Sequence, residues 1–346
     1  MVSETPPGLP GASESRWSIG GGPVPRKVVA FVPLLVLAFV LYAVRLPYFV
    51  IGPGPAEDVE PLIHVSGTTT YQSRGHLILT SVTEQQANAF DLVGAWLDPA
   101  STVLSERDVL GPGVTPQQEE QIARSEMDTS KIDAAVVALE AYAHYPKEHR
   151  PGALVEFVVP NSPADGKLFA GDVVTAINGQ RVQAVDDFGA DIQTVGGGHQ
   201  ARLTVAGRPG GVVSVTVVPR WDPKLKRALV GIVAVANFPF DLTIDSGNIG
   251  GPSAGLMWTL GLIDLLTPGD LTGGRTIAGT GVIGPDGKVY AIGGVEEKVV
   301  AAQRRGAVVF FVPVDNAVGA RSVAEGMAIV PVRTYADAVR YLRALP

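Results

Sequence analysis

The stretch DSGNIGGPSAGLMWTLGLIDLLTPGDLTGG, residues 245–274, holds the motif on which the interpretation of this chain depends. At its centre, Gly-Pro-Ser-Ala-Gly matches the G-x-S-x-G pattern of a sharp turn that presents a nucleophilic serine ahead of a helix. Gly251 allows a tight turn, Pro252 fixes φ just before Ser253, and backbone N–H groups near the serine can face a developing oxyanion. Ser253 is therefore a candidate nucleophile, although glycine-rich helix entries are also common without chemistry.

The base that would take the proton of Ser253 is not an evident histidine, because all five histidines precede the serine. An α/β-hydrolase needs its acid and histidine after the nucleophile, although a triad is defined by space and not by order. Lysine can act as a base if burial lowers its pKa by roughly 3 units. Only Lys288 and Lys298 follow the serine. Lys288 lies in the turn GPDGKVY, whereas Lys298 lies on the apolar face of a predicted helix, as a desolvated group or a snorkelling one.

Composition narrows the classes of function. The net charge of -7, with basic residues scattered through the chain, argues against nucleic acid as a partner. The absence of cysteine excludes disulfides, thiolate metal sites and cysteine nucleophiles. We expect no metal and no cofactor. A length of 346 residues predicts two or three domains.

The N-terminal region predicts a membrane anchor. An uncharged apolar run at residues 28–44 follows two basic residues, and aromatic residues extend it to position 50. We expect a Pro/Gly-rich cytoplasmic tail over residues 1–27, a helix crossing the lipid bilayer over 28–50, and a linker over 51–61, with everything later outside the cell. A cleaved signal peptide is the rival interpretation, but the run lacks a small-x-small cleavage site.

The middle of the chain contains two segments that differ in predicted secondary structure. Residues 62–147 contain GHLILTSV, a predicted strand of a hairpin, and then an apolar stripe at helical spacing, which predicts a helix in two pieces. Residues 148–221 are β-rich, with an Asn-Gly hairpin signal in GDVVTAINGQRV, a helix at DDFGADIQTV and a second hairpin around GRPGG.

The β-rich segment resembles a PDZ domain of the bacterial kind. The resemblance implies that the GALV sequence, formed by Gly152, Ala153, Leu154 and Val155, is the loop that receives the carboxylate of a bound C-terminal peptide. The alternative is that these are ordinary core residues of a β domain.

Residues 230–316 resemble the proteolytic domain of the Lon family, through GPSAG, AGTGVIGPDGKVYAIGG and EEKVVAAQRRGA. The resemblance implies a dyad in which Ser253 is the nucleophile and Lys298 the general base. Thr280 matches a threonine beside the lysine in the family, but an ordinary strand threonine is the competing interpretation. Full-length Lon enzymes need a G-x-x-x-x-G-K-[ST] motif for ATP, and no such motif is present in this sequence.

The whole sequence is similar to the membrane-anchored PDZ-Lon proteases of bacteria. This resemblance implies an α+β fold in which the PDZ-like domain interrupts a Lon-type domain, with the dyad in residues 222–346; the alternative makes residues 62–147 a separate layer. The implied function is an ATP-independent serine endopeptidase at the bacterial cell membrane that cleaves unfolded segments or tails of extracytoplasmic proteins, with a PDZ domain that either recognises substrates or regulates the enzyme. Lon-like domains often assemble into rings, so a homo-oligomer is also expected. An inactive membrane-tethered scaffold and a serine hydrolase with a lipid or peptidoglycan substrate are the alternatives.

Overall fold

The computed structural model describes residues 26–345, which form nine helices and eighteen mostly short strands. The helices are α1 (Arg26–Ala43), α2 (Ala89–Leu97), α3 (Glu106–Val109), α4 (Pro116–Tyr142), α5 (Val185–Val195), α6 (Gly255–Leu266), α7 (Val295–Arg304), α8 (Ala317–Val323) and α9 (Tyr335–Ala344). The strands are β1 (Tyr48–Asp58), β2 (Ile63–Ser66), β3 (His76–Gln86), β4 (Thr102–Ser105), β5 (Arg150–Val158), β6 (Val173–Ile177), β7 (Gln180–Arg181), β8 (Ala201–Ala206), β9 (Val213–Val217), β10 (Arg220–Asp222), β11 (Arg227–Leu229), β12 (Ile232–Asn237), β13 (Asp241–Ile244), β14 (Thr276–Gly279), β15 (Val282–Ile283), β16 (Val289–Tyr290), β17 (Val309–Pro313) and β18 (Ala328–Val332).

The larger domain is built on a mixed sheet whose strand order is β18-β17-β14-β3-β1-β4. Strand β3 pairs in parallel with β14, although about 190 residues separate them along the chain, and β2 pairs with β13. The sheet therefore combines strands from before and after the PDZ-like segment, which interrupts this domain in sequence. The predicted hairpin at β3 differs in its partner, because β3 pairs with β1 and not with the strand just before it.

Helix α6 packs on this sheet, and the longer α4 packs on α6, so that the two helices form the centre of the core. Helix α6 is buried from its first residue to Asp264, because ten of its twelve residues are apolar or glycine and the other two, Thr259 and Asp264, are buried as well. Helix α4 packs across it and begins at a capping box formed by Thr115 and Gln118. The predicted break in α4 is wrong, since no proline or glycine occurs after Pro116 and the helix runs unbroken to Tyr142.

The PDZ-like segment forms a second sheet with the order β12-β5-β6-β8-β9, and β7 pairs with β6 at the Asn-Gly turn. Helix α5 closes this domain by burying Phe188 and Ile192 in a separate hydrophobic core. The GALV sequence lies inside β5, where Ala153, Leu154 and Val155 are buried and paired with β12 and β6. The prediction of a free carboxylate-binding loop at Gly152–Val155 is thus wrong, because both edges of the strand are used there.

The N-terminal predictions also need correction. Tyr48, Phe49 and Val50 are residues of β1 and not the end of a bilayer span, and Phe49 packs beside Ile51 and Leu110. The predicted linker over 51–61 is largely strand as well, because a register shift between Pro53 and Ala56 accommodates its prolines. Across residues 26–345, no helix has both the length and the hydropathy that a membrane crossing requires. The predicted tail over 1–27 lies almost wholly outside the described residues.

Candidate active site

The turn that carries Ser253 is fixed by hydrogen bonds to its backbone. Gly251 has φ +80°, a short 3₁₀ turn covers Pro252–Ala254, and α6 follows directly. The carbonyl of Ser253 accepts hydrogen bonds from the N–H of Gly281 at 2.7 Å and from the hydroxyl of Thr280 at 3.0 Å. A Cβ at Gly255 would lie 2.6 Å from Ile283, so this glycine is required for close packing of the helix. The serine is therefore held at the N-terminal end of a buried helix.

Lys298 approaches the serine from α7. That helix begins after Gly294, which has φ +66°, and its apolar residues pack into a core behind the sheet. The lysine is only 3% exposed, and its Nζ lies 2.7 Å from Oγ of Ser253. The structure thus brings together two side chains that are 45 positions apart in sequence.

Burial sets the protonation of this lysine. Desolvation lowers the pKa of Lys298 from 10.5 to about 8, while the nearby carboxylates of Glu297 and Glu84 act in the opposite direction. At pH 7, one unit below this pKa, roughly a tenth of the molecules carry a neutral amine, and its lone pair is then free to accept the hydroxyl proton of the serine.

Thr280 completes a hydrogen-bonded group around the lysine. Its hydroxyl is buried and lies 3.5 Å from Nζ of Lys298 while it donates to the carbonyl of Ser253. Thr280 thus contacts both members of the pair and fixes the backbone of one of them. Its catalytic role stays a prediction.

The two residues predicted to support the turn contribute in different ways. The N–H of Gly251 donates to the carbonyl of Ala123 at 2.7 Å, so this amide is not available to an oxyanion. The carbonyl of Pro252 accepts a hydrogen bond from the hydroxyl of Ser130 at 2.9 Å. Helix α4 therefore fixes the backbone of the nucleophile turn through two hydrogen bonds.

The pair lies at the wall of a cleft of about 840 Å³ between α4, β3 and the loop before Ser253. Carboxylates are frequent along it, including Glu84 and Glu126, and burial together with repulsion from Glu119 raises the pKa of both. Apolar contacts come from Phe49, Leu110 and Met127, among others. The cleft is large enough for several residues of an extended peptide.

Two residues near the pair were not anticipated from sequence. Ser130 gave no signal, since a serine in a helical stripe is usually a solvated or packing residue, and its contact with Pro252 crosses 122 positions. Glu84 lies at the end of a predicted strand, where nothing local indicates that it faces a lysine on α7. Within residues 26–345, no group of histidine, aspartate or glutamate side chains is arranged to hold a metal ion.

Comparison with known proteins adds two domain assignments. A profile of the Lon protease (S16) C-terminal proteolytic domain matches residues 243–342, which include both Ser253 and Lys298. A PDZ domain profile matches residues 154–207. The chain contains a Lon-type proteolytic domain and a PDZ domain. This domain content supports a serine peptidase.

Individual relatives agree with these domains. The Lon protease of Fusobacterium nucleatum is 30% identical over 226 residues, which is 61% of this chain and 27% of that protein. Lon protease 1 of Myxococcus xanthus is 26% identical over 311 residues, or 83% of this chain and 36% of that protein. The chain thus spans between a quarter and two fifths of the length of these relatives. The crystal structure of the PDZ domain of an SdrC-like protein from Listeria innocua is 26% identical, with a TM-score of 0.22, over 24% of this chain and 92% of that one.

Proposed function

We propose that this protein is a serine endopeptidase that uses a Ser253–Lys298 dyad. The observation that carries the proposal is a lysine amine that is almost fully buried and lies 2.7 Å from a serine hydroxyl at the start of a buried helix. In this mechanism the hydroxyl proton of Ser253 passes to the neutral Nζ as Oγ attacks a peptide carbonyl. The resulting ammonium then donates its proton to the leaving amine, and an acyl-enzyme remains.

The second half of the reaction reverses these roles. Water loses a proton to Nζ of Lys298 and attacks the acyl carbon, which releases the carboxylic product and restores Ser253. Thr280 supports both steps by holding the serine backbone next to the amine. No metal or cofactor takes part in this scheme.

Unfolded segments and tails of proteins are the proposed substrates. The cleft is open at the protein surface, and an extended chain can lie along its carboxylate-rich wall. The 346 residues contain no ATP-binding G-x-x-x-x-G-K-[ST] motif, which supports cleavage by these residues without ATP.

Attachment to the outer face of a bacterial membrane is part of the same proposal. Large apolar side chains of α1 are exposed, among them Phe31, Leu35 and Phe39, and Trp96 of the neighbouring α2 is also exposed. Such side chains favour the apolar and interfacial regions of a bilayer. Co-flotation of the full chain with liposomes tests this attachment, and sedimentation of the same sample tests the predicted self-association.

The peptidase proposal is tested with unfolded casein and a serine-reactive probe applied to the full chain. We expect the wild type to release peptides and to take up the probe, and Ser253→Ala to do neither. Equal peptide release by both proteins would contradict the proposal. Failure of the wild type to react with either reagent would favour the inactive scaffold, since both reagents require the nucleophile.

A further inference from the structure

The cleft beside the Ser253–Lys298 pair carries an excess of negative charge. Among the described residues that line it are five glutamates, namely Glu57, Glu84, Glu119, Glu120 and Glu126. Apart from Lys298, the basic side chain on this wall is Arg124. Its guanidinium already donates to the carboxylate of Glu120, at 2.6 Å and one helical turn away on α4. The remaining carboxylates therefore give the cleft a negative potential that Arg124 does not balance.

Helix α4 places two of these carboxylates on the face that contacts the nucleophile turn. The carbonyl of Ala123 accepts the N–H of Gly251 at 2.7 Å, and a Cβ at Gly250 would lie only 3.0 Å from Cβ of Ala123. Glu119 lies four residues before Ala123, and Glu126 lies three residues after it. Residues at these spacings share one face of a helix. The two carboxylates therefore flank the point where α4 meets the turn.

Strand β3 contributes a third carboxylate, which lies nearest to the base. The charge of Glu84 acts on the amine of Lys298 and favours its protonated form. Burial, and then repulsion from Glu119, raise the pKa of Glu84, and the same two effects raise the pKa of Glu126. Glu119 thus interacts with both of the others. In the described part of the chain, none of these three carboxylates has a hydrogen bond or an ion pair within the protein.

The chemistry of the cleft indicates which ligand balances these charges. Carboxylates that repel one another in a partly shielded site are stabilised when a cation binds between them. The dyad is an independent indication of a peptide, because the buried amine of Lys298 contacts the hydroxyl that would attack a peptide carbonyl. Over residues 26–345, no acidic side chains are grouped closely enough to hold a metal ion. A peptide with cationic side chains fits both features.

We propose that the cleft selects peptide segments that have lysine or arginine close to the scissile bond, and that Glu84, Glu119 and Glu126 bind these cationic side chains. The same carboxylates disfavour acidic segments, which gives selectivity by repulsion as well as by attraction. The position of the scissile bond rests on the proposed peptidase function. The preference for cationic peptides in binding does not, because it requires no hydrolysis.

A cationic side chain beside Glu84 also affects the base. Without substrate, the carboxylate of Glu84 stabilises the charged amine of Lys298. A substrate ammonium or guanidinium group cancels this effect, so the pKa of Lys298 decreases further in the complex and more of the amine is neutral. The preference for cationic substrates should consequently appear in kcat as well as in KM.

Hydrolysis of matched peptides measures the preference directly. Mass spectrometry of casein digests identifies a cleaved bond, and internally quenched peptides around that bond then carry Lys, Gln or Glu at one adjacent position. We expect kcat/KM of the full chain to be about tenfold higher or more for the Lys peptide than for the Gln peptide, and lowest for the Glu peptide. Equal values for the three peptides would overturn the proposal.

A matched pair of variants on α4 assigns the preference to the cleft. Glu119→Gln removes one charge from the cleft, whereas Glu140→Gln removes one charge from an exposed position of the same helix that does not line it. We expect the ratio of kcat/KM between the Lys and Gln peptides to decrease at least threefold in Glu119→Gln and to stay unchanged in Glu140→Gln. An unchanged ratio in Glu119→Gln, or equal decreases in both, would contradict the assignment.

The pH dependence of kcat tests the position of the cation beside Glu84. The midpoint of the rise in kcat reports the pKa of the base in the enzyme–substrate complex. We expect this midpoint at lower pH for the Lys peptide than for the Gln peptide, and no difference between the peptides in Glu84→Gln. Equal midpoints in the wild type would show that the cationic side chain does not lie beside Glu84.

Binding to full-length Ser253→Ala separates this inference from the peptidase function. The probes are the same peptides with an N-terminal fluorescein and a C-terminal amide, which removes the carboxylate that a PDZ domain binds. We expect fluorescence polarisation to show about tenfold tighter binding of the Lys peptide than of the Gln peptide at about 50 mM salt, and a smaller difference at about 500 mM. Equal affinities would overturn the inference even if the wild type hydrolyses casein. Tighter binding of the Lys peptide would support it even if the wild type hydrolyses nothing.

Discussion

Two lysines of the proteolytic domain follow the candidate nucleophile, and their surroundings give them opposite properties. Lys298 is buried on α7 against Ser253, and desolvation lowers its pKa to about 8. Lys288 lies ten residues earlier on an exposed turn, and its hydrogen bond and ion pair with Asp286 raise its pKa. The comparison shows that position in the fold, and not residue type, makes an amine a base at neutral pH.

Replacing each lysine in turn gives the largest expected contrast. We expect Lys298→Ala to reduce kcat/KM for casein hydrolysis by about 10³-fold or more, since a general base contributes on the order of 10²–10⁴. Lys288→Ala, which removes only a solvated ion pair, should stay within twofold of the wild type. A similar decrease in kcat/KM in both variants would contradict the assignment of Lys298 as the general base.

Burial of the Lys298 amine should lower the free energy of unfolding at neutral pH. The pKa of Lys298 is lower in the folded chain than in the unfolded one, so unfolding favours proton uptake and the cost is fully present below about pH 8. Lys298→Met should therefore raise the free energy of unfolding by about 3 kcal/mol at pH 7, and this gain should fade as the pH approaches 10.5. Urea unfolding at pH 7 and pH 10 measures it. Lys288→Met is the control, and a gain of similar size there would contradict the burial argument.

The pH dependence of turnover follows from the same pKa. Only the neutral amine of Lys298 accepts the serine proton, so kcat/KM should rise about tenfold per pH unit below pH 8 and level off above it. Lys288→Ala should follow the same curve. A profile that is flat from pH 6 to 9 would show that another group is the base.

The smallest expected effect concerns the support of the nucleophile turn by α4. Ser130→Ala removes the hydrogen bond to the carbonyl of Pro252, which is worth about 1 kcal/mol and hence roughly a fivefold decrease in kcat. Thr129→Ala serves as the control, because Thr129 bonds the PDZ backbone at Glu156 and not the turn. Equal effects of the two variants would show a general loss of stability instead of a local one.

The sequence was sufficient to predict that Ser253 and Lys298 lie close together, because both are in extended motifs that resemble those of the Lon proteolytic domain, and the structure places their side-chain atoms 2.7 Å apart. The sequence was not sufficient to predict features that depend on pairing between strands far apart along the chain. GALV looked like an open loop because β12, which covers its edge, lies about 80 residues later. The start of β1 looked like the end of an apolar span because its partners β3 and β4 are not adjacent to it. Ser130 could not be identified at all, since only tertiary packing gives it a partner.

The most direct test of the account is the titration of individual lysine amines by NMR, in the full chain labelled with ¹³C at lysine Cε. Spectra of Lys298→Arg and Lys288→Arg assign the two signals. The account predicts that the Cε signal of Lys298 titrates near pH 8, while that of Lys288 titrates above the ordinary lysine value. If Lys298 also titrates above pH 10, its amine is charged under working conditions and cannot be the base proposed here.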